Sequence, residues 1–218
     1  GCFFYGMIGA FFAGVRGRVF TSHGMPIQKG FQVWLEDFIA ASLAHYIVSV
    51  SVEISEYFIK RFPGKKKKIK LIINGIDTNI FRPLNHEHVE ILRNRLNLPV
   101  GKKVIGSVGR LETIKNYQML LHAFKLSLTD NKEPVHLVLI GCGTEEIKLV
   151  ELSEQLDISN DVSFLGVQYE IHNILSVIDI FVLSSISEGT SISLLEAQSC
   201  AISAVVTDVG GNGNIIKN

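Results

Sequence analysis

The feature that most constrains this chain is the alternation running through its second half. Short apolar runs at 104–108, 135–140, 162–165, 178–183 and 204–207 are separated by amphipathic stretches at 117–128, 145–156, 171–177 and 191–199. Apolar runs of a few residues bounded by turn residues read as buried strands, and apolar residues recurring every three or four positions read as helices. Strands alternating with helices make a parallel sheet covered on both faces, because right-handed crossovers leave little alternative. The spacing therefore predicts a doubly wound α/β domain.

The first half repeats the theme less regularly. Residues 1–15 carry no charge and read as a buried helix, being too short to span a bilayer and lacking a basic leader. A strand over 17–22 ends at His23-Gly24, a helix follows over 31–43, a strand over 44–51, a helix over 53–62, and a strand over 69–77 closed by Asn74-Gly75. The polar interval 85–101 reads as a linker with one short helix. The predicted organisation is a partial first domain over 1–82, a linker over 83–101, and a second domain over 102–218 that is incomplete at its C-terminus. With Gly rather than Met at position 1, the chain is expected to begin inside a longer protein.

Composition narrows the partners. The 21 basic and 21 acidic residues cancel, so no global charge calls for nucleic acid. Three cysteines, Cys2, Cys142 and Cys200, are odd in number and lack metal-ligand spacing, which argues for a reducing compartment and against a disulfide framework or zinc site.

Chemistry concentrates at strand ends. After the run 178–183 comes Ser-Ser-Ile-Ser-Glu188-Gly189-Thr190-Ser191-Ile-Ser-Leu-Leu195-Glu196. Gly189 permits a sharp turn, and Thr190, Ser191 and Ser193 are N-cap types, so a helix N-terminus that attracts anions should open there. Glu188 then lies in the loop and Glu196 about two turns on in the helix; both also suit plain solvated positions. Between the second domain's first strand and first helix stand Arg110 and Lys115. A departing diphosphate accumulates negative charge, which Arg binds as a fork and Lys as a point charge; two solvated basic residues are the bland alternative. His23 ends a strand where open α/β sheets bind ligands, though such a histidine is more often structural. Gly141-Cys142-Gly143 lacks the third glycine and the acidic residue of a dinucleotide fingerprint and reads as a tight strand–helix connection. Lys65, Lys66, Lys67 and Lys68 follow Pro63-Gly64 in a loop, and are either a solvated turn or a patch for anionic lipid head groups.

Glu188 and Glu196 match the E-x7-E motif of the retaining glycosyltransferases of family 4, which have the GT-B fold. Thr21-Ser-His23-Gly24, Asn74-Gly75-Ile76-Asp77, Gly109-Arg110-Leu111 with Lys115-Asn116, and Phe164-Leu-Gly-Val167-Gln168 resemble that family's other landmarks, in its order, up to Gly210-Gly211. The resemblance implies two Rossmann-like domains, the second binding a nucleotide-sugar. It also implies hexosyltransferase-like transfer of the sugar to an acceptor hydroxyl with retention, through leaving-group stabilisation, an oxocarbenium-like transition state and same-face attack. By that resemblance Glu188 and His23 are catalytic at the donor sugar, Arg110 and Lys115 bind the diphosphate, and Glu196 binds the ribose. Gly189, Thr190, Ser191 and Leu195 contact the donor, and Val167 and Gln168 lie at the base. No metal or other cofactor is expected. The expected partners are a nucleotide-sugar donor and a glycan, lipid-linked or small-molecule acceptor, and the expected location is the cytoplasm, at the inner face of the membrane. The resemblance frays where the family's Ala-Cys-Gly-x-Pro becomes Ser199-Cys200-Ala201-Ile202-Ser203, and where Gly213-Asn214 stands for Pro-Glu. Losing that Gly and Pro should loosen the exit from the helix. A catalytically silent GT-B module or inactive fragment, or a nucleotide-sugar epimerase, are the alternative readings.

Overall fold

The computed structural model describes residues 2–25, 30–130 and 133–216. The chain divides into two compact units, one of residues 1–74, 187–190 and 210–218, the other of 75–186 and 191–209. Among the described residues the strands form one three-stranded and one five-stranded sheet, and every pairing is parallel.

The first unit contains α1 (Cys2–Phe12), β1 (Val19–Ser22), α2 (Phe31–Leu43), β2 (Tyr46–Ser49), α3 (Val52–Arg61) and β3 (Ile69–Leu71), with sheet order β1-β2-β3. Its core joins Phe3 and Met7 of α1, Ala40 and Ala41 of α2, Ile47 of β2, and Ile54, Phe58 and Phe62 in and just after α3. The α3 helix starts at an N-cap, the Ser51 hydroxyl accepting from Ile54 N at 3.3 Å.

Three expectations need correction here. The apolar N-terminal stretch does form a helix, but of its residues only Phe3 and Met7, one turn apart, are buried, while Tyr5 and Phe12 face outward. Large side chains surround the helix, and only the face carrying Phe3 and Met7 meets the core. The strand expected over 69–77 stops at Leu71, because its partner β2 ends at Ser49 and the chain turns there into α3; Ile72 N still donates to Ser49 O at 2.9 Å. The lysine run is not a loop but a 3-10 turn over Pro63–Lys68. Within it, Lys68 Nζ donates to the carbonyls of Ser42 and Ala44 at 2.9 and 2.7 Å, closing the C-terminus of α2 as a cation there should. Burial, and then the charges of Lys65 and Arg18, hold Lys68 below the usual lysine range.

The second unit opens with α4 (His86–Arg95), capped by Asn85, whose side chain accepts from His88 N at 2.9 Å. There follow β4 (Lys103–Val108), α5 (Tyr117–Asp130), β5 (Val135–Ile140), α6 (Glu146–Gln155), β6 (Val162–Phe164), α7 (Ile171–Leu175), β7 (Ile180–Leu183), α8 (Ile192–Ser199) and β8 (Ser203–Val206). The sheet order β6-β5-β4-β7-β8 is that of a doubly wound domain. All six residues of β5 are buried, as a strand covered on both faces requires. Arg93 ties α4 to the sheet, donating to Val177 O at 2.9 Å and to Asp179 Oδ2 at 2.8 Å, and the same carboxylate accepts from Val104 N at 2.7 Å.

The exit from α8 keeps its form without glycine. Ala201 takes the left-handed conformation at φ 58°, Ile202 N donates to Ala197 O at 3.1 Å and Ala201 N to Gln198 O at 2.9 Å. The closing turn is therefore present, held at the cost of a strained alanine. Within the first unit, α9 (Asn212–Ile215) is anchored to α3 by Asn214 Nδ2, which donates to Glu53 Oε1 at 2.7 Å.

Candidate functional site

In the second unit, the strand order reverses beside β4: the chain runs outward through β5 and β6, then crosses to β7 and β8 on the other side. The carboxyl ends of β4 and β7 thus flank a topological switch point, where open α/β sheets bind ligands.

At the end of β4 the backbone is held close to its neighbours. Gly109 N donates to Ile140 O at 3.0 Å, Leu111 N to Cys142 O at 2.9 Å, and Glu145 N to Leu111 O at 2.9 Å. Leu111 is fully buried, whereas Arg110 beside it is exposed. The two glycines of Gly141-Cys142-Gly143 make this approach possible. A Cβ at 141 would lie 2.0 Å from Gly109 O, and one at 143 would lie 2.3 Å from Leu111 O. The G-x-G here is thus a packing device that fixes the Arg110 loop. Glu112 fastens the same loop, accepting from Thr144 Oγ1 at 2.9 Å.

Lys115 ends a 3-10 turn, Thr113–Lys115, and Asn116 after it is left-handed at φ 55°. The turn is tied to the exit of β7: Ser184 Oγ donates to Lys115 O at 2.8 Å and Ile186 N to Ile114 O at 2.8 Å. The Lys115 side chain lies over Gly109, its Cε 3.3 Å from where a Cβ at 109 would stand. Arg110 and Lys115 therefore adjoin the same glycine on the same rim of the sheet, the rim from which the chain leaves β7 toward α8. Ser184 was not foreseen as part of this arrangement; its only sequence signal is a hydroxyl directly after an apolar strand at the switch point.

Of the three N-cap types, Thr190, Ser191 and Ser193, Ser191 is the cap of α8, its hydroxyl accepting from Leu194 N at 3.4 Å, while Ser193 lies within the helix. Glu196 lies within α8, half-buried, and burial pushes its carboxyl above the usual range. It is thus not a fully solvated helix residue. Leu195, beside it, is partly buried as well. Beyond β6, Gly166 at φ 62° turns the chain, Gln168 Nε2 donates back to Leu165 O at 2.7 Å, and Val167 is exposed.

In the first unit, the loop 187–190 sits at the carboxyl end of the three-stranded sheet. A Cβ at Gly189 would stand 2.3 Å from His23 O, so the two backbones touch and only glycine fits. Thr190 Oγ1 donates to Val50 O, just past β2, and Gly211 N donates to Gly189 O at 2.7 Å. Gly210, at φ 54°, takes up the other side, since a Cβ there would lie 1.9 Å from Glu188 O. His23 and the run Glu188, Gly189 and Thr190, which begins 165 positions later in sequence, are thus gathered at one sheet end. His23 is exposed and Glu188 partly buried. Among the described residues no group of three or more His, Cys, Asp or Glu is arranged to hold a metal ion.

A family model described as "Glycosyl transferases group 1" matches residues 88–218. The chain belongs to this family. It is 31% identical over 222 residues to the UDP-Gal:alpha-D-GlcNAc-diphosphoundecaprenol alpha-1,3-galactosyltransferase of Escherichia coli, covering 98% of the chain and 57% of that protein. It is 32% identical over 174 residues to a D-inositol 3-phosphate glycosyltransferase of Corynebacterium jeikeium, covering 76% of the chain and 41% of that protein. Among solved structures, Anabaena Alr3699/HepE in complex with UDP superposes with a TM-score of 0.82 at 22% identity, over 99% of the chain and 60% of that protein. Its parallel-sheet α/β fold is thus of the GT-B type. The chain spans about half the length of the curated relatives it matches.

Proposed function

We propose that the protein containing this chain transfers a sugar from a nucleotide-sugar to an acceptor hydroxyl with retention of configuration. The reading rests on one observation above the others: Arg110 and Lys115 adjoin Gly109 at the switch point of the five-stranded sheet, held there by glycine packing and by Ser184. In this reading both cations take the diphosphate, and they lower the barrier by neutralising the leaving group as the glycosidic bond to it breaks. Glu196 binds the ribose, the backbone around Val167 and Gln168 meets the base, and Ser191 and Leu195 line the donor. By the family resemblance, Glu188 and His23 act at the donor sugar, with Gly189 and Thr190 offering backbone N–H groups. The acceptor attacks the face the diphosphate leaves, through an oxocarbenium-like transition state, and no metal is required. That UDP occupies HepE and that the E. coli relative acts on a lipid-linked acceptor favour a UDP-sugar donor and a lipid-linked glycan acceptor. The three free cysteines suit a cytoplasmic setting.

Calorimetric titration of the chain with UDP, GDP and their sugars tests the donor half of this reading. At least one should bind, and Arg110→Ala or Lys115→Ala should each weaken it about tenfold or more, the worth of a charge-assisted hydrogen bond. No binding to any of them sinks the assignment. Transfer itself is read on the protein at the length of its relatives. There Glu188→Ala should abolish sugar transfer, and NMR of the anomeric signal should report retention. Binding without transfer would identify a silent module, and an altered sugar nucleotide formed without acceptor would identify an epimerase.

A further inference from the structure

Two side chains meet over Gly109. A Cβ there would lie 3.0 Å from Tyr117 Oη, and 3.3 and 3.7 Å from Cε and Cδ of Lys115. The first two distances are shorter than the 3.4 Å at which ordinary contact begins, so the space beside the bare Cα is taken by a tyrosine hydroxyl and a lysine stem. Gly109 is not among the glycines of positive φ, so an alanine could adopt its backbone. The nearest atoms such an alanine would meet belong to those two side chains.

The two differ in freedom. Tyr117 opens α5, is 2% exposed, and belongs to the core cluster that holds Leu111, Leu121 and Leu149. Its ring is held by that core while its hydroxyl emerges at Gly109, the usual division of a buried tyrosine between apolar body and polar tip. The main chain of Lys115 is fixed on both sides: its N–H donates to Glu112 O at 2.9 Å, and its carbonyl accepts from Ser184 Oγ at 2.8 Å. A long flexible stem remains beyond that. Ordering such a stem costs conformational entropy, which a bound anion must otherwise supply. Arg110 needs less help, because its planar fork is preorganised where a lysine is a point charge on a mobile chain.

We propose that Gly109 and Tyr117 position Lys115, confining its stem between the bare Cα and the tyrosine hydroxyl so that the ammonium is ordered before a diphosphate arrives. Tyr117 is thus a positioning residue that acts through Lys115. What the ammonium meets rests on the donor reading above; the confinement does not.

Calorimetric titration with UDP and GDP compares the wild type, Gly109→Ala, Tyr117→Phe, Lys115→Ala, and each of the first two variants combined with Lys115→Ala. In Gly109→Ala the new Cβ displaces the flexible stem rather than the core tyrosine, and the tighter-bound diphosphate should weaken about tenfold, the worth of one immobilised long side chain. Tyr117→Phe removes only the hydroxyl and should weaken it about threefold. In the Lys115→Ala background each should change affinity less than about twofold, since the effect of a positioning residue disappears with the residue it positions. Undiminished affinity in Gly109→Ala would overturn the proposal. So would equal losses with and without Lys115, because the substitutions would then act on the loop itself. Circular dichroism checks the fold of each variant, and Tyr117→Phe, which adds no atom, carries the test if Gly109→Ala does not fold.

A second measurement needs no nucleotide. With the lysines methylated by carbon-13 formaldehyde, the Lys115 NMR signal, identified by its loss in Lys115→Ala, should stand apart from those of exposed lysines and join them in Gly109→Ala. A wild-type signal already among the exposed lysines would refute the confinement. A separate signal in a chain that binds neither UDP nor GDP would uphold the confinement and sink the donor reading instead.

Discussion

Replacing Gly141 by Ala tests whether the Arg110 loop is fixed by backbone approach. The new Cβ would stand 2.0 Å from Gly109 O, against the 3.4 Å at which ordinary contact begins, and its neighbour is backbone that no rotamer can move aside. The residue also sits at φ 131°, a region nearly closed to L side chains, which costs about 2 kcal/mol. Relieving the clash pulls the Gly109–Leu111 segment away and weakens two hydrogen bonds, Gly109 N to Ile140 O and Leu111 N to Cys142 O, at about 1 kcal/mol each. The total, about 4 kcal/mol, corresponds to a fall of about 12 °C in melting temperature for a unit of this size. Gly166→Ala is the control. It also has positive φ, 62°, but a Cβ there meets nothing within 4 Å, so only the conformational cost of about 1 kcal/mol remains. Thermal melts by circular dichroism compare the two, and calorimetry well below both midpoints should find nucleoside diphosphate affinity reduced more than tenfold in Gly141→Ala. Equal melting shifts for the two variants would show that close approach is not what holds the loop.

Ser184→Ala removes the hydroxyl that holds the Lys115 carbonyl and should weaken nucleoside diphosphate binding about fivefold, for about 1 kcal/mol lost; calorimetry that finds full affinity contradicts this. Asp179→Ala leaves Arg93 without its carboxylate and Val104 N without an acceptor, and should destabilise by about 2 kcal/mol in denaturant titration. His136 Nε2 lies 2.8 Å from Ser163 Oγ in the core, and burial, followed by the Lys102 charge, holds its imidazole below the usual range against an opposing pull from Asp161. The unfolded chain therefore binds a proton that the folded chain refuses: stability is complete above about pH 6.5 and falls as pH drops from there through the lowered folded value. His136→Gln should flatten that dependence between melts at pH 7.5 and 5.5, with both values chosen to be about one unit either side of the ordinary imidazole pKa. Ala201→Gly should stabilise by about 1 kcal/mol, since the residue closes α8 at φ 58° with nothing but its Cβ opposing that conformation; an unchanged melting point would mean the surrounding chain absorbs the strain.

How far the sequence could be read depended on whether the cause of a feature lay near it in the chain. The β5 strand was legible because burial on both faces demands an unbroken apolar run, which Val135–Ile140 supplies. The α1 and α2 helices were legible as helices, but not in which face they turn inward: an apolar residue count does not say that Phe31 is exposed while Ala40 is buried. Arg110, Lys115, Glu188 and His23 stood out as chemical types. What positions them did not, because it acts across long separations: Ser184 on Lys115, Gly141 on Gly109, Gly189 on His23. Departures from the family pattern show the same division. Asn214, where the family places Glu, anchors α9 by bonding Glu53, and Ala201, where the family places Gly, still closes α8. A motif letter can therefore change without unseating the backbone it serves, provided the replacement can take the same φ or reach the same partner. The glycines at 141, 189 and 210 have no such latitude, since at each of them the space a side chain would need is already filled by another stretch of backbone.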